Sequence, residues 1–212
     1  MTIAQPFWPP RDFALVRRLE EMYAEPATRA AVHEELDRLI GGGVGGGLKR
    51  LASPFAPLQP GSEEADRAPG GGAWSELALF NGRVWNETAC NAVPTISHML
   101  RGDSEAANEI CGSPTGLGLG PNMCGANVVV TILKLAAGAR ILPHCGVTNR
   151  RLIMQFALRG SDGVEFTVGD ETRGYGGDGH ALVFDDSFEH AVWHGGREDR
   201  YVILALLKHP DA

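Results

Sequence analysis

Apolar residues recur at helical spacing twice near the start of the chain. Phe13, Leu15, Val16, Leu19 and Met22 mark a helix over Asp12–Tyr23, with Asp12 placed to cap it. Val32, Leu36, Leu39 and Ile40 mark a second over Thr28–Ile40. The run Gly41-Gly42-Gly43-Val44-Gly45-Gly46-Gly47 lacks the Gly-Lys-Ser/Thr ending of a phosphate loop, and no strand precedes it, so it reads as a flexible connector. Leu51–Gly72, rich in Pro, Gly and acidic residues, reads as a loop.

From Trp74 onward the period shortens toward that of strands. Leu77–Phe80 with Asn81-Gly82 predicts a strand and a tight turn. Asn86–Arg101 is helical, broken near Pro94. Asn127–Leu135 is β-branched and reads as a buried strand. Leu152–Leu158 and Val164–Val168 predict a hairpin across Gly160-Ser161-Asp162-Gly163; His180–Phe184 and Arg200–Leu207 are two further strands. Many short strands without alternating helices predict a mainly β fold with flanking helices, a barrel or double-sheet jelly roll. The expected division is an N-terminal helical segment with its glycine connector (1–47) and a β domain (48–212), with the helices packed on one sheet.

Composition narrows the functional classes. The 212 residues can bury one substantial core. A formal charge of −7 and the lack of a basic stripe argue against nucleic acid as a partner. No apolar run approaches the roughly 20 residues of a membrane span, and Met1–Pro10 lacks the blocks of a signal peptide. A cytoplasmic location is the expectation. Cys90, Cys111, Cys124 and Cys145 form no CxxC pair and read as free thiols.

Candidate chemistry lies between His144 and Arg200. Two histidines, His144 and His190, fall in a segment that otherwise reads as strands joined by glycine turns. Two imidazoles on neighbouring strands can hold a transition metal. Arg200, ten residues beyond His190, opens the apolar run Tyr201–Leu207 and can grip the far carboxylate of a dicarboxylic acid. Together they point to an iron(II) oxygenase driven by 2-oxoglutarate.

Longer signatures carry a resemblance. They are Leu79-Phe80-Asn81-Gly82, then His144-x-Gly146-x-Thr148-Asn149-x-Arg151-Leu152, Asp170-Glu171-Thr172-Arg173, Phe184-Asp185-Asp186-Ser187-Phe188-Glu189-His190-x-Val192-Trp193, and His209-Pro210. In these the chain from about Trp74 to Pro210 resembles the aspartyl/asparaginyl β-hydroxylase family. The resemblance implies a double-stranded β-helix, the cupin-like jelly roll, and the use of Fe(II), 2-oxoglutarate and O2. It implies that His144 and His190 are the metal ligands and that Arg200 pairs with the distal carboxylate of 2-oxoglutarate. Many proteins with this fold place Asp or Glu two residues after the first histidine; here, as in the family, that position is Gly146.

Three positions depart from the family pattern. A histidine near the metal-proximal carboxylate of the cosubstrate is matched by Gln155, an arginine by Ile153, and a serine assisting Arg200 by Leu133, with Thr131 on the same strand face able to supply a hydroxyl. Arg151 keeps its place and is the candidate reader of an acidic group on a small-molecule or peptide substrate. Asp185, Asp186 and Glu189 are candidate acceptors for an imidazole N–H. Three functions compete: hydroxylation of an unactivated carbon of an aspartyl/asparaginyl-type residue or small amino-acid-like acid, with succinate and CO2 released; halogenation, with chloride in the vacant carboxylate position; and a non-enzymatic metal-binding β-barrel.

Overall fold

A computed structural model describes residues 4–41, 56–57, 65–66, 74–101, 104–112, 129–146 and 148–210. Its strands are β1 (Phe7–Trp8), β2 (Ala56–Pro57), β3 (Ala65–Asp66), β4 (Trp74–Phe80), β5 (Val130–Leu135), β6 (Arg140–His144), β7 (Arg151–Arg159), β8 (Val164–Val168), β9 (Glu171–Arg173), β10 (Ala181–Phe184), β11 (His190–His194) and β12 (Arg200–Lys208). Its helices are α1 (Ala14–Ala24), α2 (Pro26–Gly41), α3 (Glu87–Ala92), α4 (Pro94–Arg101) and α5 (Ser104–Glu109). The strands form two antiparallel sheets, a large one ordered β1-β10-β7-β12-β5-β4-β2 and a small one ordered β3-β6-β11-β8-β9. They stack through Phe166 of β8 and Phe184 of β10, whose ring centroids lie 4.7 Å apart. This is the mainly β, jelly-roll architecture expected from the strand pattern.

The helices cover the outer face of the large sheet. Eight of the nine residues of β7 are buried, because helices shield one face and the small sheet the other. The Tyr23 ring of α1 meets Phe156 of β7 edge-on at 5.6 Å, and its hydroxyl donates to the Leu158 carbonyl at 2.5 Å. Asn86 caps α3, its side chain accepting from Ala89 N–H. Pro94 then starts α4, so the predicted break falls where proline removes a helical donor.

Some expectations change. Asp12 does not cap α1. It lies in the preceding 3-10 turn, and Glu109 of α5 accepts from the Ala14 and Leu15 amides instead, at 2.8 and 2.9 Å. A carboxylate from 94 residues away does the work that a local reading gives to the nearest aspartate. Leu152–Leu158 and Val164–Val168 are strands but not a hairpin: β7 pairs with β10 and β12, while β8 pairs with β11 and β9 in the other sheet. The Gly160–Gly163 turn carries the chain between sheets. Gly160 adopts φ 73°, and a Cβ there would lie 2.3 Å from the Asp199 carbonyl oxygen. Strands β6, β9 and β11 are short, and no hydrophobic run announces them.

Gly42–Gly47 and Cys124 lie outside the described residues, as does most of Leu51–Gly72, of which β2 and β3 are described. Cys90, Cys111 and Cys145 are free thiols, the first two buried. Among the described residues no helix is long and apolar enough to cross a membrane.

Candidate active site

His144 ends β6 and His190 begins β11, and the two are direct cross-strand partners. Side chains opposite each other in an antiparallel pair share a face, and the ring centroids stand 4.1 Å apart. Each Nδ1 meets a main-chain carbonyl two residues back, Leu142 for His144 at 2.9 Å and Phe188 for His190 at 3.0 Å. A carbonyl can only accept, so Nδ1 carries the proton and Nε2 is the nitrogen each ring presents to a ligand. The acceptors are therefore main-chain oxygens. Asp185 accepts from the Ser187 amide and Asp186 from Arg151. His190 lies 5.3 Å from the Phe184 ring, which belongs to the large sheet. The pair thus faces the space between the sheets.

Beside the histidines the chain runs close to itself. Gly146 N–H donates to the Asp186 carbonyl at 2.5 Å. A Cβ on Gly146 would lie 2.2 Å from Asp186 Oδ2 and 2.3 Å from its Cγ. The Asp186 side chain occupies the room that a carboxylate residue at position 146 would need. Its Oδ2 accepts from Arg151 Nη2 at 2.8 Å in a pair buried at both ends, and its Oδ1 is buried with no hydrogen-bond partner. Among the described residues no third His, Cys, Asp or Glu joins the histidines in a group able to hold a metal.

Arg200 lies deeper between the sheets. It begins β12 and is 0% exposed, and among the described residues its side chain has one hydrogen-bond partner, Tyr175, whose hydroxyl accepts from Nη1 at 3.2 Å. Nε and Nη2 are buried without partners among the described residues. A permanently charged guanidinium in that state needs an anion. Tyr175 donates in turn to Gln155 Oε1 at 2.8 Å. Burial pushes the Tyr175 phenol up, with Arg200 opposing, so the proton of that bond stays on the hydroxyl at neutral pH.

Register places these groups on one inner face. Leu204 of β12 pairs with Thr131 of β5 and with Gln155 of β7, and Leu206 pairs with Ile153. Arg200 shares that face by alternation, as does Arg151, opposite Lys208. Leu182 and Phe184 of β10 oppose Gln155 and Ile153, so the face with Arg200 and Gln155 is the one on which Phe184 meets His190. Thr131 is buried there, but its hydroxyl donates to the Ile132 carbonyl at 3.4 Å and not to the group that contacts Arg200, which is Tyr175. Burial raises the Glu76 carboxyl, and Thr131 works against that rise.

The structure brings His144 and His190 together at one end and Arg200, Gln155 and Thr131 along one wall, with Arg151 at the start of β7 buried and tied to Asp186. Sequence reasoning missed Tyr175, which sits in a Gly-Tyr-Gly-Gly loop. The signal was present, because an aromatic flanked by glycines is a residue that a bent loop can insert into a core. It also missed that Gly146 and Asp186 are one feature.

A model of the Aspartyl/Asparaginyl beta-hydroxylase family matches residues 48–210. The chain is 31% identical over 141 residues to the mouse aspartyl/asparaginyl beta-hydroxylase, covering 66% of this chain and 17% of that protein. It is 38% identical over 143 residues to human aspartate beta-hydroxylase domain-containing protein 2, covering 66% of this chain and 34% of that one. It therefore spans only about a third or less of the curated relatives it matches. A solved prolyl hydroxylase from Trichoplax adhaerens, bound to a hypoxia inducible factor peptide fragment, shares the fold with a TM-score of 0.51 and 14% identity, over 92% of this chain and 89% of that one. With the signatures and the family match in agreement over residues 48–210, and the sheets in the jelly-roll order, this chain belongs to the aspartyl/asparaginyl β-hydroxylase family.

Proposed function

We propose that the protein is an Fe(II)- and 2-oxoglutarate-dependent hydroxylase. The observation that carries this reading is Arg200: a fully buried guanidinium with Nε and Nη2 unmatched, on the face that also meets a histidine pair. An anion of the right length held by Arg200 would extend toward the Nε2 atoms of His144 and His190, the donor set that an iron(II) site needs. In the overall reaction 2-oxoglutarate, O2 and R–H become succinate, CO2 and R–OH, with one oxygen atom in succinate and one in the alcohol. Iron(II), when bound, supplies the redox chemistry with O2.

The protein's own residues bind, orient and exclude water. Main-chain carbonyls fix both imidazoles. Arg200 holds the distal carboxylate, with Gln155 on the same wall. Phe166, Phe184 and Val168 surround His190 with apolar surface that keeps water from the reacting carbon. Arg151, at the start of β7, reads the substrate's acidic group, exchanging Asp186 for it. Ile153 beside it makes this part of the wall apolar, which favours a small or partly apolar acid, free or within a peptide. A chlorinated product formed only in the presence of chloride would mark the halogenase reading instead.

The test is succinate formation by purified protein supplied with Fe(II), 2-oxoglutarate, O2 and a panel of acidic amino acids and peptides. Hydroxylated product matched to succinate supports the reading. Metal binding without cosubstrate turnover on any acid of the panel leaves the non-enzymatic barrel in its place.

A further inference from the structure

Arg200 has no acceptor atoms, so the hydroxyl it contacts must place its proton elsewhere. Tyr175 places that proton on Gln155 Oε1, 2.8 Å away. This fixes Gln155, whose oxygen faces Tyr175 and whose NH2 donors are turned away. It also fixes Arg200: Nη1 is consumed at 3.2 Å, and the remaining Nε–Nη2 edge is the pair of parallel donors that a carboxylate accepts. The Arg200 guanidinium carbon stands 5.9 Å from the Tyr175 ring centroid, which adds a weak cation–π contact. Gly176 follows Tyr175 with φ 80°, so the chain turns back at once and the ring alone enters the core.

We propose that Tyr175 is a positioning residue for the cosubstrate, a neutral relay that orients Arg200 and Gln155 so that the pocket selects a 2-oxo acid carrying a second, distal carboxylate. The proposal rests on the reading of Arg200 as the cosubstrate anchor and adds to it a residue that touches the anion only through its neighbours. Its role differs from general packing, because only the distal carboxylate depends on the Arg200 edge. Pyruvate, which has the keto-acid end alone, does not.

The experiment measures binding of 2-oxoglutarate and of pyruvate to Zn(II)-loaded protein by calorimetry, without turnover. In Tyr175→Phe the affinity for 2-oxoglutarate should fall about tenfold or more, since buried donors and acceptors lose their partner, while pyruvate affinity changes by no more than about threefold. Equal losses for both acids, or no loss for 2-oxoglutarate, overturn the proposal. If Tyr175→Phe does not fold, Tyr175→Met decides by the same two affinities: without the hydroxyl the ratio of 2-oxoglutarate to pyruvate affinity should drop, and an unchanged ratio overturns it. Wild-type protein that binds Zn(II) but not 2-oxoglutarate removes the cosubstrate reading itself, a failure visible before any Tyr175 variant is compared.

Discussion

Gly146 and Asp186 compete for one volume. A Cβ on Gly146 would lie 2.2 Å from Asp186 Oδ2, so the glycine and the aspartate form a single arrangement in which the carboxylate arrives from the loop before His190. Glycine at the position where related folds carry a ligand is thus a packing requirement in this protein. Gly146→Asp should not create a third ligand. It should displace Asp186, leave Arg151 facing the wrong partner and lower the melting temperature by an amount corresponding to ~1–3 kcal/mol of overpacking. Gly146→Asp combined with Asp186→Gly should recover much of that loss. Thermal melts of Gly146→Asp, Asp186→Gly and the double variant check it, and additive losses in the double variant would contradict a shared volume.

The Arg151–Asp186 pair is buried at both ends. Asp186→Ala leaves a buried guanidinium without its carboxylate and should destabilise the protein by ~3–5 kcal/mol in chemical denaturation. Arg151→Ala should impair turnover of an acidic substrate more than it impairs 2-oxoglutarate binding, because the lost hydrogen bonds would be to the substrate. Loss of 2-oxoglutarate binding alone, or a preference for uncharged substrates, would remove Arg151 as the substrate reader.

For the metal, His144→Ala and His190→Ala should each abolish stoichiometric binding of Fe(II) or Zn(II), since no third side chain joins the pair among the described residues. Metal analysis after dialysis reads this directly. A variant that keeps full metal content would exclude that histidine as a ligand.

Arg200→Ala should weaken 2-oxoglutarate binding by about a hundredfold, on the order of the ~2–3 kcal/mol of a charge-assisted bidentate contact. Arg200→Lys should recover only part, because an ammonium cannot present two parallel donors. Unchanged affinity in the alanine variant would show that the buried guanidinium is structural.

Tyr23 gives a pH-dependent handle on the helix–sheet contact. Its phenol is pushed up from 10.0 to about 12 by burial first and by Asp178 second, with Arg29 and Arg159 opposing. The folded state therefore holds the proton more tightly than the unfolded chain. This contribution to stability is fully present below pH 10 and is lost as pH rises through about 12. Melting temperature should fall more steeply across that interval in the wild type than in Tyr23→Phe. Parallel slopes would mean that Tyr23 does not ionise differently in the two states.

The sequence by itself determined the elements whose periodicity is strong: α1, α2, the α3–Pro94–α4 break, and the apolar strands β5, β7 and β12. It also singled out candidates for the chemistry, since His144 and His190 stand in long ordered signatures and Arg200 opens the apolar run that follows them. Tertiary structure decided which elements meet. Nothing local distinguishes a Gly-Ser-Asp-Gly turn that closes a hairpin from one that crosses between sheets, because the same φ > 0 glycines serve both; the partners of β7 settle it. The cap of α1 came from Glu109 rather than Asp12 for the same reason, since any carboxylate that reaches the open amides will serve. Tyr175 reached Arg200, and Asp186 reached Gly146, across 25 and 40 residues of sequence, by register and burial. A sequence pattern reports what each residue prefers to be near, but the volume two distant residues must share exists only once the sheets are stacked.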